Sequence, residues 1–324
     1  MVIIDIFYVL IGLTLLAWSA DKLVEYSVSL AKHLNVSPFL IGIVIIGFGT
    51  SLPEMLVSAL AALDNVGGIA IGNALGSNIA NIGLVLGFSA LFSTIAISKK
   101  VLKSDLTVLF LITSLTIALL FDRQLSTLDG IILTICLFSY LVWSAISDKK
   151  SSQDSSQQDD EYNLDEQPED SLKKSTLWTI ISLIILLGSS KLLLVGAIGI
   201  SKTLGVSDLM IGLTVIAIGT SMPELAASVA AAKQKQTGLI IGNILGSNAF
   251  NTLGVLGIVG ILSDTPVAPE VLHRDFIVLV ILMLVLSAFA ITRGKLSKGS
   301  GFLFLLGYFS YLGFLIYNAL QLAS

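Results

Sequence analysis

The sequence predicts an all-α polytopic membrane protein whose ten transmembrane helices form two inverted-topology five-helix repeats. Three observations predict this fold: an apolar composition, a long internal repeat and the placement of the basic residues. Of the 324 residues, 55% are hydrophobic and only 12% are charged, whereas charged residues make up about a quarter of soluble domains. The apolar stretches run without alternation over about 18 residues or more, which favours membrane-spanning helices over the strands of a β-barrel.

The internal repeat relates residues 36–87 to residues 206–257 at a constant separation of 170 positions, with 25 identities in 52 gapless pairs. Each copy contains a proline–glutamate motif, which reads G-T-S-L-P-E at 49–54 and G-T-S-M-P-E at 219–224. This similarity is too extensive to arise by chance from two hydrophobic segments. The two copies are therefore expected to play the same structural role.

The repeat divides the chain into two halves. Each copy falls in the second and third helix of its half, so residues 1–147 and 175–324 are predicted to form one five-helix repeat each. Because five is odd, the second repeat enters the membrane from the opposite side, as in many secondary transporters. The ten predicted spans are 3–24, 38–62, 69–97, 104–121, 126–147, 176–200, 207–232, 239–262, 274–292 and 301–321.

Residues 148–174 form the one long polar segment between the halves. The segment is rich in Ser and Gln and contains eight acidic residues between positions 154 and 170. Such a composition cannot bury an apolar core, which predicts a cytoplasmic acidic linker without a fold of its own. A regulatory calcium site is the alternative, but the segment lacks the D-x-D-x-D-G pattern of a calcium-binding loop.

The basic residues indicate which side of the membrane each loop faces. With the N-terminus outside, thirteen Lys and Arg residues fall in cytoplasmic connections and three in outer connections. Cytoplasmic loops carry an excess of Lys and Arg, so both termini are expected on the outer side of an inner (plasma) membrane. The cytoplasmic set is Lys32, Lys99, Lys100, Lys103, Lys149, Lys150, Lys173, Lys174, Lys233, Lys235, Arg293, Lys295 and Lys298; the outer set is Arg123, Lys202 and Arg274.

The proline–glutamate motif predicts a broken helix that carries a carboxylate. Pro53 and Pro223 have no N–H to donate, and each crowds the carbonyl of the residue four positions earlier, Gly49 or Gly219. We therefore expect helices 2 and 7 to be broken at the motif, which a membrane tolerates only inside protein or along a water-filled cavity. In each copy a threonine lies four residues before the glutamate and shares its helix face. Hydroxyl groups, freed carbonyls and a carboxylate are thus predicted to converge.

A polar motif follows in each copy, G-N-A-L-G-S-N-I-A-N at 72–81 and G-N-I-L-G-S-N-A-F-N at 242–251. In the first copy Asn73, Ser77 and Asn81 are spaced four apart, which predicts a polar stripe along one helix face, and the second copy repeats it. Paired glycines allow helices to approach closely, so the stripe can lie against the broken helix. For four asparagines, interhelical packing is at least as good an interpretation as cation binding: Asn73, Asn78, Asn243 and Asn248.

The two motif glutamates require either a compensating positive charge from elsewhere or protonation of the carboxyl group. An unpaired glutamate in a membrane is energetically costly, and no Lys, Arg or His lies in either motif to neutralise it. Two carboxylates in an all-oxygen shell suit Ca²⁺, with Na⁺ in smaller subsites. The absence of thiolate and imidazole ligands disfavours Zn²⁺ and Cu⁺. One copy alone could be a structural kink, but its duplication favours the ligand interpretation.

The paired motifs resemble the two alpha repeats of the calcium/cation antiporter superfamily, and especially those of its prokaryotic sodium/calcium exchangers. The resemblance covers nearly the whole chain, with the alpha-1 motif at 36–87 and the alpha-2 motif at 206–257. Some relatives carry an aspartate where this chain has Asn251. Because Asn251 is neutral, the site of this chain would have only two formal negative charges. The resemblance implies that the cation is held by the backbone carbonyls of Gly47 and Ala217 and by the side chains of Thr50, Ser51, Glu54, Ser77, Asn81, Thr220, Ser221, Glu224, Ser247 and Asn251.

The function implied by this resemblance is secondary active antiport, not enzymatic catalysis: Na⁺ exchanges for Ca²⁺ by alternating access, and calcium leaves the cytoplasm. Helices 1 and 6 would slide against the rest of the protein to switch the opening. The alternatives are an H⁺/Ca²⁺ exchanger, in which protonation of the glutamates replaces Na⁺, and, less favoured, a passive cation channel. The expected partners are Ca²⁺, Na⁺ and the lipid bilayer, with no cofactor, nucleic acid or obligatory protein partner.

Two further function classes are disfavoured by what the motifs lack. A hydrolase would need a His or Lys base near the hydroxyl groups of 49–54, and none is present there. An ATP-driven pump would need the lysine of a P-loop. The glycine-containing segment at 72–77 has no such lysine.

Overall fold

The computed structural model of the protein describes residues 2–98, 101–154, 170–206 and 211–323, and these residues are almost entirely helical. Within these ranges nine helices are long and apolar enough to cross a membrane, and one bent helix pair completes a tenth span. The predicted all-α polytopic fold is confirmed. The spans are α1 (Val2–Leu34), α2 (Pro38–Leu63), α3 (Gly67–Phe92), α4 (Lys103–Asp122), α5 (Thr127–Lys149), α6 (Leu172–Thr203), α7 (Thr214–Thr220 and Met222–Lys233), α8 (Thr237–Leu262), α9 (Val271–Arg293) and α10 (Lys298–Gln321).

Most helix bounds lie within a few residues of those predicted, but α1 and α6 are longer than expected. They contain 33 and 32 residues, against predicted spans of 3–24 and 176–200. The predicted end of α1 was wrong because charged residues there do not end the helix. Lys22 and Glu25 lie one turn apart and form an ion pair of 2.7 Å on the helix surface, so the helix continues past them.

The predicted linker falls mostly outside the described residues. The α5 helix continues beyond its apolar span to Asp154, and the α6 helix begins at Leu172, capped by the Ser171 hydroxyl. Residues 155–169, which hold most of the acidic residues, are not among the residues that the structure describes. The division of the chain at 148–174 stays a prediction.

Two short strand pairs join the two halves of the chain. β1 (Ile95–Ala96), which follows α3, pairs antiparallel with β4 (Lys295–Leu296), which follows α9. β2 (Gln124–Leu125), which follows α4, pairs antiparallel with β3 (Thr265–Pro266), which follows α8. Because successive spans cross in opposite directions, the two pairs lie at opposite ends of the helix bundle. In each pair, a strand of one repeat is hydrogen-bonded to a strand of the other repeat, which is consistent with the inverted arrangement of the repeats.

The motif helices lie at the centre of the protein. In α3 and α8, 78% and 89% of the most apolar stretch is buried, against 17% in α1. The α5 helix packs against α8, and α10 packs in the same way against α3. These contacts are close because glycines meet there: Gly130 lies against Gly257 and Gly260, and Gly301 lies against Gly87. The α1 and α6 helices pack along each other and cover α2 and α7 from one side.

The two proline–glutamate motifs adopt different helix geometries. The α2 helix runs as one span, with a π-helical segment at Gly42–Gly47 and with Pro53 inside the α-helical part, Phe48–Leu63. The α7 helix is bent by 53° between Thr220 and Met222, so that Pro223 lies in the first turn of a new helix. The predicted break is therefore a sharp bend in α7. In α2 the perturbation is the π-helical segment that precedes the motif.

Candidate cation-binding site

Four π-helical segments lie at the motifs. They are Gly42–Gly47 in α2, Asn81–Leu86 in α3, Gly212–Ile216 in α7 and Phe250–Val255 in α8. A π turn inserts one residue into the helical ladder and is frequent at functional sites, because it re-aims side chains and loosens carbonyl groups. The repeated motifs thus perturb all four central helices, close to the residues predicted as ligands.

Two carboxylates lie at the centre of this region. Glu54 and Glu224 are each only 2% exposed, and they are close enough for their charges to interact directly. Both carboxylate oxygens of Glu54 and Oε2 of Glu224 have no hydrogen-bond partner in the described part of the chain. The ion pairs found among the described residues involve other acids. Buried carboxylates without partners are costly, so this pair is suited to a cation.

The motif segments of α2 and α7 also carry buried hydroxyl groups. Ser51 and Ser221 are buried, and the Oγ atom of each is without a hydrogen-bond partner among the described residues. The Thr50 hydroxyl donates to the Ile46 carbonyl at 2.9 Å, and the same side chain interacts with the Glu224 carboxyl group. The Thr50 hydroxyl thus lies within reach of both the Ile46 carbonyl and the Glu224 carboxyl group.

The polar stripes of α3 and α8 carry further buried oxygen atoms. Asn81 and Asn251 are 1% exposed, and their Oδ1 atoms lack hydrogen-bond partners within the described ranges. The Asn81 amide donates to Asn248 Oδ1 at 3.0 Å, which ties α3 to α8. Ser247 is fully buried and donates to the carbonyl of Gly47 at 3.3 Å. That contact joins two predicted ligand groups from opposite repeats.

The predicted site residues are thus distributed over the two repeats as the symmetry requires, but with unequal exposure. Ten of the twelve are buried. Thr220 is half-buried at the bend of α7, and Ala217 begins the short helical segment Ala217–Thr220 directly after a π turn. The buried ten are Gly47, Thr50, Ser51, Glu54, Ser77, Asn81, Ser221, Glu224, Ser247 and Asn251.

The asparagines left open between packing and binding make contacts between helices. The Asn73 amide donates to Ser58 Oγ at 3.3 Å, and its repeat counterpart Asn243 donates to Ser228 Oγ at 2.9 Å. These bonds favour the packing interpretation. Sequence reasoning missed both serines, although each follows its motif glutamate by four residues, and this helical spacing in both copies was the available signal.

A further missed contact breaks the repeat symmetry. The amide of Asn78 lies 2.7 Å from the Thr252 hydroxyl, and both residues are 1% exposed. The repeat counterpart of Thr252 is Ile82, so Asn248 finds no matching hydroxyl and its Nδ2 has no partner in the described part of the chain. Only a comparison of the two copies at this position could have suggested that the asparagines differ.

The carbonyl freed by Pro223 is satisfied by α6. Ser190 is 6% exposed, and its hydroxyl donates to the Gly219 carbonyl at 3.4 Å. The corresponding position in α1 is Ala20, which cannot donate. The α6 helix also covers both motif glycines, with Leu183 beside Gly49 and a second leucine beside Gly219.

The donor set is made of oxygen atoms and has few charges. The described residues contain no group of three or more His, Cys, Asp or Glu side chains that could hold a metal ion. The candidate residues offer two carboxylates together with neutral hydroxyl, amide and carbonyl oxygens. Such a shell fits a hard cation such as Ca²⁺ or Na⁺ and can release it, because its net charge is low.

The site is packed unequally toward its two ends. Toward the β1–β4 end, Gly42 of α2 touches Gly242 of α8, where a Cβ on Gly42 would lie 3.0 Å from Gly242 Cα. Toward the β2–β3 end, a Cβ on Gly72 or Gly76 would meet no heavy atom of the described residues within 4 Å. The π-helical segment Gly212–Ile216 of α7 lies against α6 and α10 instead. Among the described residues, this close contact between helix backbones is found at the β1–β4 end and not beside Gly72 or Gly76.

Comparison with known proteins agrees with this architecture. The family model for sodium/calcium exchanger protein matches residues 4–146 and 174–317. Inner membrane protein YrbG of Escherichia coli is 34% identical over 94% of this chain and 95% of its own length. Sodium/calcium exchanger MaX1 of Methanosarcina acetivorans is 29% identical over 98% of this chain and all of its own length.

A solved structure shows the same fold. The structure of the sodium-calcium exchanger NCX_Mj soaked with zero Na⁺ and Ca²⁺ has a TM-score of 0.85 and 37% identity, and it covers 97% of this chain and 99% of that one. The chain resembles these proteins over nearly its whole length, in both repeats and in the helices that carry the paired glutamates. The protein belongs to the sodium/calcium exchanger family of membrane antiporters, which are transporters and not enzymes.

Proposed function

We propose that this protein exchanges Na⁺ for Ca²⁺ across the membrane by alternating access to one site between its repeats. One observation carries the proposal: Glu54 and Glu224 are both 2% exposed, their charges influence each other, and neither has a basic partner among the described residues. Two carboxylates balance the charge of one Ca²⁺. The same oxygens can hold Na⁺, so occupancy by one ion would exclude the other.

The proposed ligand set is that implied by the family resemblance. The unpartnered oxygens of Ser51, Ser221, Asn81 and Asn251 support it. Because Asn251 is neutral, the site has two formal negative charges, not the three of relatives that carry an aspartate there. A lower charge favours easy release of Ca²⁺, since affinity for this ion follows the number of charged ligands.

The proposed direction of transport is calcium export. The excess of basic residues in one set of loops favours an orientation with both termini outside, in which the β1–β4 end faces the cytoplasm. The open half of the site, beside Gly72 and Gly76, faces outward, where Na⁺ would enter and Ca²⁺ would leave. The naming of MaX1 as a sodium/calcium exchanger supports the choice of ions.

Flux measurements in proteoliposomes test the coupling ion. We expect ⁴⁵Ca²⁺ uptake to follow an imposed Na⁺ gradient. Uptake that ignores the Na⁺ gradient but follows a pH gradient would show H⁺/Ca²⁺ exchange instead. A passive channel would give uptake that depends on neither counter-ion.

Substitution of the carboxylates tests the site. Glu54→Gln and Glu224→Gln should each abolish exchange while leaving folded protein, because each removes half of the formal charge that balances Ca²⁺. Glu25→Gln is the matched control, since this glutamate lies on the surface of α1 in an ion pair with Lys22 and should leave exchange unchanged. Near-normal exchange in either motif variant would exclude the proposed site.

A further inference from the structure

The asparagines of α3 and α8 leave different atoms free in the two repeats. The Asn81 amide donates to Asn248 Oδ1 at 3.0 Å, so this pair leaves one oxygen, Asn81 Oδ1, without a partner among the described residues. The repeat equivalents of this pair are Asn251 and Asn78. There, both Oδ1 atoms lack a hydrogen-bond partner within the described ranges. The second pair thus offers two acceptors where the first offers one.

The difference comes from Thr252, which follows Asn251 in the chain. Its hydroxyl oxygen accepts from Asn78 Nδ2 at 2.7 Å, and both side chains are 1% exposed. An asparagine amide has one oxygen acceptor and one NH₂ donor group, so a hydrogen bond at the nitrogen directs the oxygen the other way. The first repeat has Ile82 at the position of Thr252, and isoleucine has no hydroxyl group. Thr252 therefore determines which atom of Asn78 stays free.

The inverted repeat brings the two free oxygens of the second pair to one place. Asn81 of α3 contacts Asn248 of α8, and exchange of the repeats converts this contact into Asn251 of α8 against Asn78 of α3. Both residues of the second pair are 1% exposed. A buried acceptor without a partner costs about 1–3 kcal/mol. A cation bound by both oxygens would remove this cost.

We propose that Asn78 Oδ1 and Asn251 Oδ1 are ligands of a Na⁺ subsite, and that Thr252 is the positioning residue that holds Asn78 for it. The inference rests on the proposed Na⁺/Ca²⁺ exchange and adds a ligand and its orientation to that site. Neutral amide oxygens favour a monovalent ion, because affinity for Ca²⁺ follows the number of charged ligands. Glu54 and Glu224 remain the charged ligands of Ca²⁺.

The test is Thr252→Val, which removes the hydroxyl group and keeps the branched shape of the side chain. Proteoliposomes are loaded with Na⁺ at a series of concentrations, and initial rates of ⁴⁵Ca²⁺ uptake give the Na⁺ concentration for half-maximal exchange. We expect this concentration to rise about tenfold, as is typical when a residue that orients a metal ligand is lost. The maximal rate, and self-exchange of ⁴⁵Ca²⁺ for Ca²⁺ without Na⁺, should stay within about twofold, because only Na⁺ binding is weakened.

Three further variants complete the test. Thr252→Ser keeps the hydroxyl group and should hold the half-maximal Na⁺ concentration within about twofold of the unsubstituted protein. Thr116→Val is the matched control, because this fully buried threonine of α4 donates within its own helix to the Ile112 carbonyl at 2.9 Å. It should leave the half-maximal Na⁺ concentration unchanged. Asn78→Ala removes the ligand itself and should raise that concentration at least as much as Thr252→Val, which it replaces if Thr252→Val does not fold.

The outcomes separate the subsite from the proposed exchange. An unchanged half-maximal Na⁺ concentration in folded Thr252→Val or Asn78→Ala would overturn the proposal. An equal loss of Na⁺-driven uptake and of self-exchange would also overturn it, because such a loss indicates a packing role alone. Self-exchange without any Na⁺-driven uptake in the unsubstituted protein would instead reject the proposed Na⁺/Ca²⁺ exchange.

Discussion

The α2 and α7 helices carry nearly the same motif, yet one is continuous and the other is bent by 53°. In α2 the segment before the motif lies on the α8 backbone; in α7 the equivalent segment lies against α6 and α10. Identical residues at most motif positions therefore permit both geometries. The difference between the two copies reports which end of the site is closed, and it is decided by the packing of neighbouring helices.

The two motif prolines give the largest expected effect on stability. Pro53 lies inside an α-helical segment, where proline costs about 3 kcal/mol or more, whereas Pro223 lies in the first turn of its helix, where proline is well tolerated. Pro53→Ala should therefore raise the apparent melting temperature of the purified protein, and Pro223→Ala should change it little. Thermal unfolding of both variants side by side measures the contrast.

Slower exchange is also expected in Pro53→Ala, because a stabilised straight α2 resists the bend that the inverted state requires. If Pro223→Ala stabilises the protein as much as Pro53→Ala, the two prolines occupy equivalent environments. The bend in α7 would then not distinguish the two halves of the protein in the membrane.

The next largest expected effect comes from substituting Asn243 and Asn73, which occupy equivalent positions in the two repeats. Asn243 is 1% exposed and donates to Ser228 Oγ at 2.9 Å and to the Glu224 carbonyl at 3.4 Å, whereas Asn73 is half-buried and donates to Ser58 at 3.3 Å. Asn243→Ala should destabilise the protein by about 1–3 kcal/mol, because it leaves buried polar groups unsatisfied. Asn73→Ala should be milder in both thermal unfolding and ⁴⁵Ca²⁺ exchange. Equal damage from the two variants would contradict the unequal packing of the two halves.

The smallest effect concerns the carbonyl freed by Pro223. Ser190→Ala removes the hydroxyl that donates to Gly219 at 3.4 Å and should cost about 0.5–1.5 kcal/mol in unfolding measurements. Ser189→Ala is the matched control, because this neighbouring buried hydroxyl bonds within its own helix to Leu186 at 2.9 Å. A loss in Ser189→Ala as large as in Ser190→Ala would show that the contact between α6 and α7 has no special role.

Much of the fold and the candidate site could be predicted because each rests on local or repeated patterns. Long apolar runs specify membrane helices, and the 170-residue repeat specifies two equivalent halves. The burial of Glu54 and Glu224 followed from their apolar surroundings, which offer no basic partner. The extension of α1 beyond residue 24 to Leu34 was not predicted, because an ion pair on a helix surface makes a charged run compatible with a continuous helix.

Contacts between helices were less accessible to sequence reasoning. The partners Ser58 and Ser228 were overlooked, although their spacing from the motif glutamates was visible. The Asn78–Thr252 contact and the Ser190–Gly219 contact join residues 174 and 29 positions apart. Neither contact has a repeat counterpart, because the positions equivalent to Thr252 and Ser190 are Ile82 and Ala20. Symmetry could not predict them, because they are departures from it.

The sequence by itself determined a membrane protein with two matching motifs, each with one glutamate and nearby hydroxyl and amide side chains. The amino-acid sequence is enough to predict these features, because apolar segments in lipid must form helical spans and the two motifs are copies of each other. Only the tertiary structure decided that Gly42 meets Gly242 while Gly72 stays exposed. Two nearly identical motifs have the same local preferences, so their different geometries arise from the helices packed against them, which the local sequence does not specify.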